Sequence, residues 1–436
     1  MKALILTLLT TLLVQGGNLG SGMMAAHILA AEGRGELAAA QLWPTAMAYF
    51  LLFGLNDAML YFTAGKHYPP RHTFAVGLIG GVICAIIAVL VAGGVVIPLA
   101  YEGYRPEIQH LAYLMLGIIP LHILGMVCQE TLRGHGRLGL WNLQRILLAA
   151  GYPVAIAVAW ATGHGTVEGL GLSYMAAHVL PMLLPLIFII RKGWFGVSAP
   201  RPVFGRVLAY GARIHVSGLI NQVNTRLDQM LIATALDPRS LGLYVVATSL
   251  AQVPATLANS VAMVAFPRAC ATADGEERKA LVGLYFRLTL ALTLSGSLVL
   301  GAAAPLFLRY MFGADFIAAA DLTRILLVGG LLVTMREFLF LAFKAFDRTF
   351  SLSASEALLL AVNAGALSLA VPKFGLMGAA LAYCAVRMVQ VGYLAIMAHR
   401  QLGLGWRQML VPTAADKAAV LHLKDTLRGR LARQPE

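Results

Sequence analysis

Charge is what this sequence has least of. Asp, Glu, Lys and Arg together make up 12% of the 436 residues, about half the share found in an ordinary soluble domain. Hydrophobic residues fill 59% of the chain and mean hydropathy is +0.76, so too little polar surface is encoded to coat a globule of this size in water. The solvent for most of the chain is therefore lipid, which excludes nearly all soluble enzymes. Acidic residues are the scarcer sign, 20 against 33 basic ones, for a net charge of +13. In a soluble chain that excess would suggest nucleic acid; in a membrane chain it first reports topology, and no nucleic-acid partner is expected. Cysteine is limited to Cys84, Cys128, Cys270 and Cys384, scattered in or beside apolar runs, a spacing that offers neither a disulfide framework nor a zinc site. GxxxxGK[ST], HExxH and GxSxG motifs are also absent, which removes an intrinsic ATPase and the common hydrolase designs.

What is there is a series of twelve apolar stretches of spanning length, near residues 3–28, 38–64, 74–99, 109–130, 139–162, 167–190, 206–235, 241–266, 282–306, 318–343, 350–371 and 376–399. At about 20 residues per span they leave no room for a soluble domain. The longest polar stretches are a connector, 191–206, and a basic tail, 401–436, whose Ala/Leu/Lys/Arg pattern suits a surface helix. The first apolar run continues past Gly16-Gly17 to Ala30, longer than the core of a secretory signal, so it is read as a retained span. With the N-terminus inside, 21 of the 33 cations fall on the cytoplasmic side, five (Arg34, Arg105, Arg239, Arg309 and Lys373) outside, and seven within spans. That imbalance places both termini in the cytoplasm, and the bacterial inner membrane is the expected location.

The chain also resembles itself. GLGLSYMAAH (169–178) and GAALAYCAVR (378–387) share a pattern at an offset of 209 that sets His178 over Arg387. AEGRGEL (31–37) stands over LDPRSLG (236–242), and Asn56 over Asn259, at offsets of 203 to 205. Six spans per repeat is an even number, so the halves share one orientation about an axis along the membrane normal. The expected fold is an all-α polytopic membrane protein of about 12 transmembrane helices in two six-helix lobes, 1–195 and 196–400, followed by a cytoplasmic basic tail, 401–436.

Ionisable groups inside a bilayer need a partner, a cavity or a route to the interface. Arg145, Arg213, Arg287 and Arg324 lie near span ends, whereas Arg226, Arg336 and Arg387 lie deeper, with Asp57, Asp228, Glu337 and Glu356 as acids at comparable depth. In the seventh span Arg213, Ser217, Asn221, Asn224 and Asp228 recur at spacings of 4, 4, 3 and 4, which draws one polar face along a helix. Five polar groups on one face exceed what holding two helices together requires, so a hydrated cavity is expected. The eighth span adds Gln252 and Asn259, the first Gln15 and Asn18, and the second Asn56 and Asp57. Arg226 and Asp228, two residues apart, point to different sides; one division has Asp228 held by a neighbour and Arg226 free for a ligand. Arg387 and Glu356 form a structural ion pair in one reading and serve substrate in the other.

The doubled six-span plan, the phrases EGRGELAAA and LDPRSLGLYVVATSLAQVP, and NQVNTRLDQMLIA in span seven together resemble the polysaccharide (oligosaccharide-lipid) flippases. That family sits in the superfamily containing multidrug and toxin extrusion transporters and lipid II flippases. The resemblance implies alternating access between two lobes, with spans 1, 2, 7 and 8 lining a cavity for the diphosphate-sugar head of a polyprenyl-linked oligosaccharide. Arg226, Arg213, Arg336 and Arg387 would then face the diphosphate, and Asn221, Asn224, Gln252, Asn259, Gln15 and Asn18 the sugar hydroxyls. Asp57 and Asp228 are candidates for coupling to protons or sodium, no other cofactor being expected, and polysaccharide polymerases or ligases are candidate partners. A cation-coupled multidrug exporter of the same fold, a lipid II flippase and a membrane glycan polymerase remain as alternatives. The lipid II branch usually carries two further C-terminal spans, which this chain lacks, and a polymerase usually needs larger outer loops.

Overall fold

A computed structural model describes residues 2–271, 275–346 and 350–405, with 409 and 411; the side chains of Ser217 and Asn259 and most of the basic tail lie outside the described residues. The described chain is almost entirely helical. In order the helices are α1 (Lys2–Phe50), α2 (Leu55–Ala64), α3 (Pro70–Val91), α4 (Ile97–Ala100), α5 (Pro106–Leu114), α6 (Ile118–Gly134), α7 (Leu138–Ala161), α8 (Val167–Arg191), α9 (Arg201–Ala235), α10 (Pro238–Ala271), α11 (Gly275–Ala302), α12 (Ala304–Phe312), α13 (Ala320–Ala345) and α14 (Phe350–Met397). Local chemistry sets several boundaries. Pro70 and Pro106 open α3 and α5, where a missing N–H costs nothing. At α8 the Thr166 hydroxyl accepts the Gly169 N–H at 3.1 Å, with Glu168 in the first turn and Arg191 in the last, each charge opposing the helix dipole.

Among the described residues seven helices are long and apolar enough to cross a membrane, and α1 with α2, bent by 50° at their break, adds an eighth. The expected count of twelve is not reached on these grounds. Helices α9 and α10 do not pass, α9 because the groups of its polar face dilute its apolar content, and α1 with α2 and the 48-residue stretch Ser355–Leu402 each count once where two spans were expected. At or beside the expected boundaries, residues 31–37 and Lys373, each helical stretch is broken by one residue out of helical conformation, Ala30 (φ 55°, ψ −169°) and Gly375 (φ 55°, ψ −135°), so α1 and α14 each hold two helices joined across a kink.

The chain forms two compact units. The first gathers residues 1–249, 304–322 and 360–380. Its core joins α1, α2, α3 and α6 through Met47, Leu55, Met59, Phe74, Ile119, Ile123 and Val127. In lipid the gain from excluding water is weak, so close approach through small residues carries the packing. Gly77 faces Met59 and Val127, and Gly81 faces Ile123 and Val127, so a side chain at Gly77 would force Met59 and Val127 to shift. The second unit holds 250–303, 323–359 and the chain from Leu381, around Phe286, Phe338, Phe343, Leu352 and Leu394.

Within the first unit the two repeated turn phrases touch. A Cβ on Gly35 would meet the Pro238 carbonyl oxygen at 1.6 Å, and one on Gly242 would meet the Ala31 carbonyl oxygen at 2.0 Å. The contacts pair 35 with 238 and 31 with 242, reciprocal positions under an offset of 207 rather than the 203 to 205 that the letters alone suggest. Only glycine permits backbones this close. Beside the contact the Tyr104 hydroxyl donates to the Ala233 carbonyl at 2.7 Å, the Tyr101 hydroxyl to Ala39 O at 2.6 Å, and Arg105 Nε to Glu36 at 3.0 Å. Burial, with Glu36 and Asp237 nearby, pushes Tyr104 up to about 12, so its hydroxyl keeps the proton that this bond needs.

Candidate functional site

The 3.6-residue period places the polar groups of α9 along one side, but they end in different surroundings. Arg213 and Asn221 are exposed, Asn224 and Asp228 are buried, and Arg226 is half-buried. Asp228 is engaged: it accepts the Tyr244 hydroxyl at 2.5 Å and the Gln229 N–H at 2.8 Å. Arg226 has no carboxylate partner among the described residues. The guanidinium instead lies within electrostatic range of Tyr49, His122 and Tyr174, three neutral groups from α1, α6 and α8.

Those three belong to a ladder of rings through the first unit. Tyr49 meets His122 edge-on at 4.7 Å, His122 lies 5.9 Å from His178, His178 meets Tyr174 at 4.7 Å, and Tyr174 meets Tyr152 at 5.0 Å. Gln41 donates to the Tyr152 hydroxyl at 3.2 Å, and His178 Nδ1 donates to the Tyr174 carbonyl at 2.8 Å. His122 Nε2 is buried with no hydrogen-bond partner, and so is the Nε of Arg34, a residue expected in an exposed loop and found inside a helix within electrostatic range of Tyr152. The sequence reading of intramembrane charge weighed Arg, Asp and Glu and passed over histidine and tyrosine. His122 and His178, titratable side chains within spans, were the available signal.

The remaining expected contacts are spread out. Gln15 and Asn18 on α1, Asp57 on α2 and Gln252 on α10 are exposed, and Asp57 has Arg133 in electrostatic range. Arg336 and Arg387, both buried in the second unit, belong to a network of their own. Arg336 pairs with Glu337 and Glu356, Gln390 donates to Glu356 at 2.9 Å, and Arg387 donates to Gln390 at 3.1 Å. The Glu356 partner is thus Arg336, and Arg387 reaches that carboxylate through Gln390 instead of pairing with it as one reading expected. Each guanidinium also lies over a ring, Phe340 at 4.1 Å and Tyr383 at 5.4 Å. Among the described residues no three His, Cys, Asp or Glu side chains come together as metal ligands.

Chemically, the first unit offers a guanidinium near neutral donors, a set suited to binding an anion. Comparison with known proteins agrees with a carrier. The family sequence model described as "Polysaccharide biosynthesis protein" matches residues 26–321. A putative O-antigen transporter of Shigella flexneri is 25% identical over 313 residues, 69% of this chain and 72% of that protein. Among solved structures, the lipid II flippase MurJ in an inward closed conformation superposes with a TM-score of 0.77 at 15% identity, covering 89% of this chain and 86% of its own. An inward-facing multidrug resistance MATE family transporter of the MOP superfamily gives 0.73 at 17% identity, covering 89% and 94%. At such identities the structural matches establish the fold, while the family match spans well over half of the sequence. A multi-pass helical bundle with a cation set near neutral donors, the chain belongs to the polysaccharide biosynthesis protein family.

Proposed function

We propose that this protein flips a polyprenyl-diphosphate-linked oligosaccharide, a precursor of cell-surface polysaccharide, from the cytoplasmic to the outer leaflet of the bacterial inner membrane. Both termini would be cytoplasmic, and alternating access would work between a lobe of 1–195 and a lobe of 196–400. The observation that carries the reading is Arg226: a guanidinium inside the first unit with no carboxylate partner among the described residues, with Tyr49, His122 and Tyr174 in electrostatic range. An unpaired cation in low dielectric is costly unless an anion completes it, and a diphosphate matches a guanidinium in charge and in bidentate geometry.

Asn221, Asn224, Gln252, Asn259, Gln15 and Asn18 would exchange hydrogen bonds with the sugars, and Arg213 would draw the head group in. Arg336 and Arg387, held by Glu356 and Gln390, are weaker candidates for substrate. Between the acids proposed for ion coupling, Asp57 is exposed while Asp228 is committed to Tyr244, which favours Asp57. An inside-negative potential drives each negative charge outward by roughly 2.3 kcal/mol per 100 mV if it crosses the full field, so ATP is not needed. A drug-exporting relative would need an acidic interior for cations, and the unpaired interior charge here is basic.

The test is complementation. In a strain lacking the protein, Arg226→Ala is expected to reach the membrane at normal abundance yet fail to restore surface polysaccharide, with lipid-linked saccharide accumulating on the cytoplasmic leaflet. Full restoration by that variant would remove Arg226 from the site.

A further inference from the structure

We propose that the diphosphate is bound from two sides, by Arg226 on α9 and by the Tyr49 and Tyr174 hydroxyls and the His122 imidazole on α1, α8 and α6. This inference rests on the reading of Arg226 as an anion contact and assigns the other half of that site.

Three observations converge. Tyr49, His122 and Tyr174 are side chains of three separate helices, and all three lie within electrostatic range of Arg226. Next, their polar atoms are unclaimed. Among the described residues neither hydroxyl has a hydrogen-bond partner in the protein, and His122 Nε2 is buried with none. A cluster that existed only to hold helices together would satisfy itself, as Gln41 and Tyr152 do one step along the ladder. Lastly, the ring positions are fixed by packing: His122 is wedged between Tyr49 and His178, and Tyr174 between Tyr152 and His178. A fixed ring presents its donor without losing freedom when ligand arrives.

The donor set suits a carrier. Phosphate oxygens only accept, and Tyr O–H and His N–H can both donate. One fixed cation against a doubly charged head leaves the charge incompletely balanced, and neutral donors supply the rest of the contact. A carrier must hold its cargo firmly enough to select it and loosely enough to release it; a ring of guanidinium groups would fail the second condition.

The experiment uses the full-length protein in nanodiscs with two probes, farnesyl-diphosphate-linked N-acetylglucosamine and uncharged farnesol. Tyr49→Phe/Tyr174→Phe keeps both rings and removes both hydroxyls. It is expected to bind the diphosphate probe at least about 10-fold more weakly than wild type, with farnesol binding and melting temperature unchanged. At position 122, His122→Gln, which keeps a donor, is expected to bind the diphosphate probe more tightly than His122→Leu. If the double Phe variant binds as wild type does while Arg226→Ala loses the probe, the inference is overturned and Arg226 stands. If Arg226→Ala also binds as wild type does, the underlying reading falls with it.

Discussion

A guanidinium inside a helix bundle needs a partner, and this chain surrounds two of its interior arginines differently. Arg336 has Glu337 and Glu356; Arg226 has neutral rings and an unclaimed imidazole nitrogen. The distinction is energetic, because removing one partner of a buried pair leaves the other charge stranded, at a cost of about 3–5 kcal/mol. Glu356→Ala should therefore lower the melting temperature in detergent sharply, and replacing both partners as Arg336→Met/Glu356→Leu should recover most of the loss. A Glu356→Ala protein that melts with wild type would show that the network contributes nothing. At this scale the sequence was informative where one helix carried the whole pattern. Arg213, Asn221, Asn224 and Asp228 fall on one face by spacing alone, and Asp228 is indeed held by a neighbour, Tyr244. The ring cluster was not legible for the converse reason: Tyr49, His122 and Tyr174 stand alone on three helices, so no periodicity joins them and only the folded chain brings them together.

At the level of elements, the breaks matter more than the helices. Ala30 holds φ 55° and ψ −169°, a region that costs a residue with a Cβ about 1–3 kcal/mol and suits glycine. The break in α14 already has glycine, Gly375 at φ 55°. Ala30→Gly should accordingly stabilise the folded protein by about 1 kcal/mol, read as a rise in thermal midpoint in detergent; a lower midpoint would mean that the kink relaxes when the chain is free. Hydropathy found the α3, α6, α7 and α8 regions readily because they are apolar throughout. It also divided α14 between 371 and 376, where Gly375 breaks the helix, because Pro372, Lys373 and Gly375 interrupt the apolar run, and it marked 206–235 as a span despite the polar groups of α9. The repeat register shows the same limit. Matching letters gave offsets scattered from 203 to 209, whereas reciprocal backbone contact gives 207, since what the two phrases share is a place where chains must come close.

For the molecule as a whole, the proposed lobes divide the chain at 195/196, whereas the two compact units interleave, the first drawing on 1–249 and on two later segments. Helix α9, placed with the second lobe by sequence, belongs to the first unit, which is how Arg226 comes to face N-terminal residues. Orientation is checked by single-cysteine labelling in a background lacking native cysteines. In intact cells a membrane-impermeant maleimide should modify Glu102→Cys and leave Lys66→Cys unmodified until the membrane is opened, both positions being exposed. The opposite pattern would invert the proposed topology. The meeting of Gly35 and Gly242 has a mechanical meaning as well. Peptide groups pressed together with no Cβ between them have no interlocked side chains to disengage, so rotation at that point requires little repacking. With the Tyr104–Ala233 hydrogen bond at its rim, the two repeated phrases meet through peptide groups alone, and a side chain at either glycine would drive them apart.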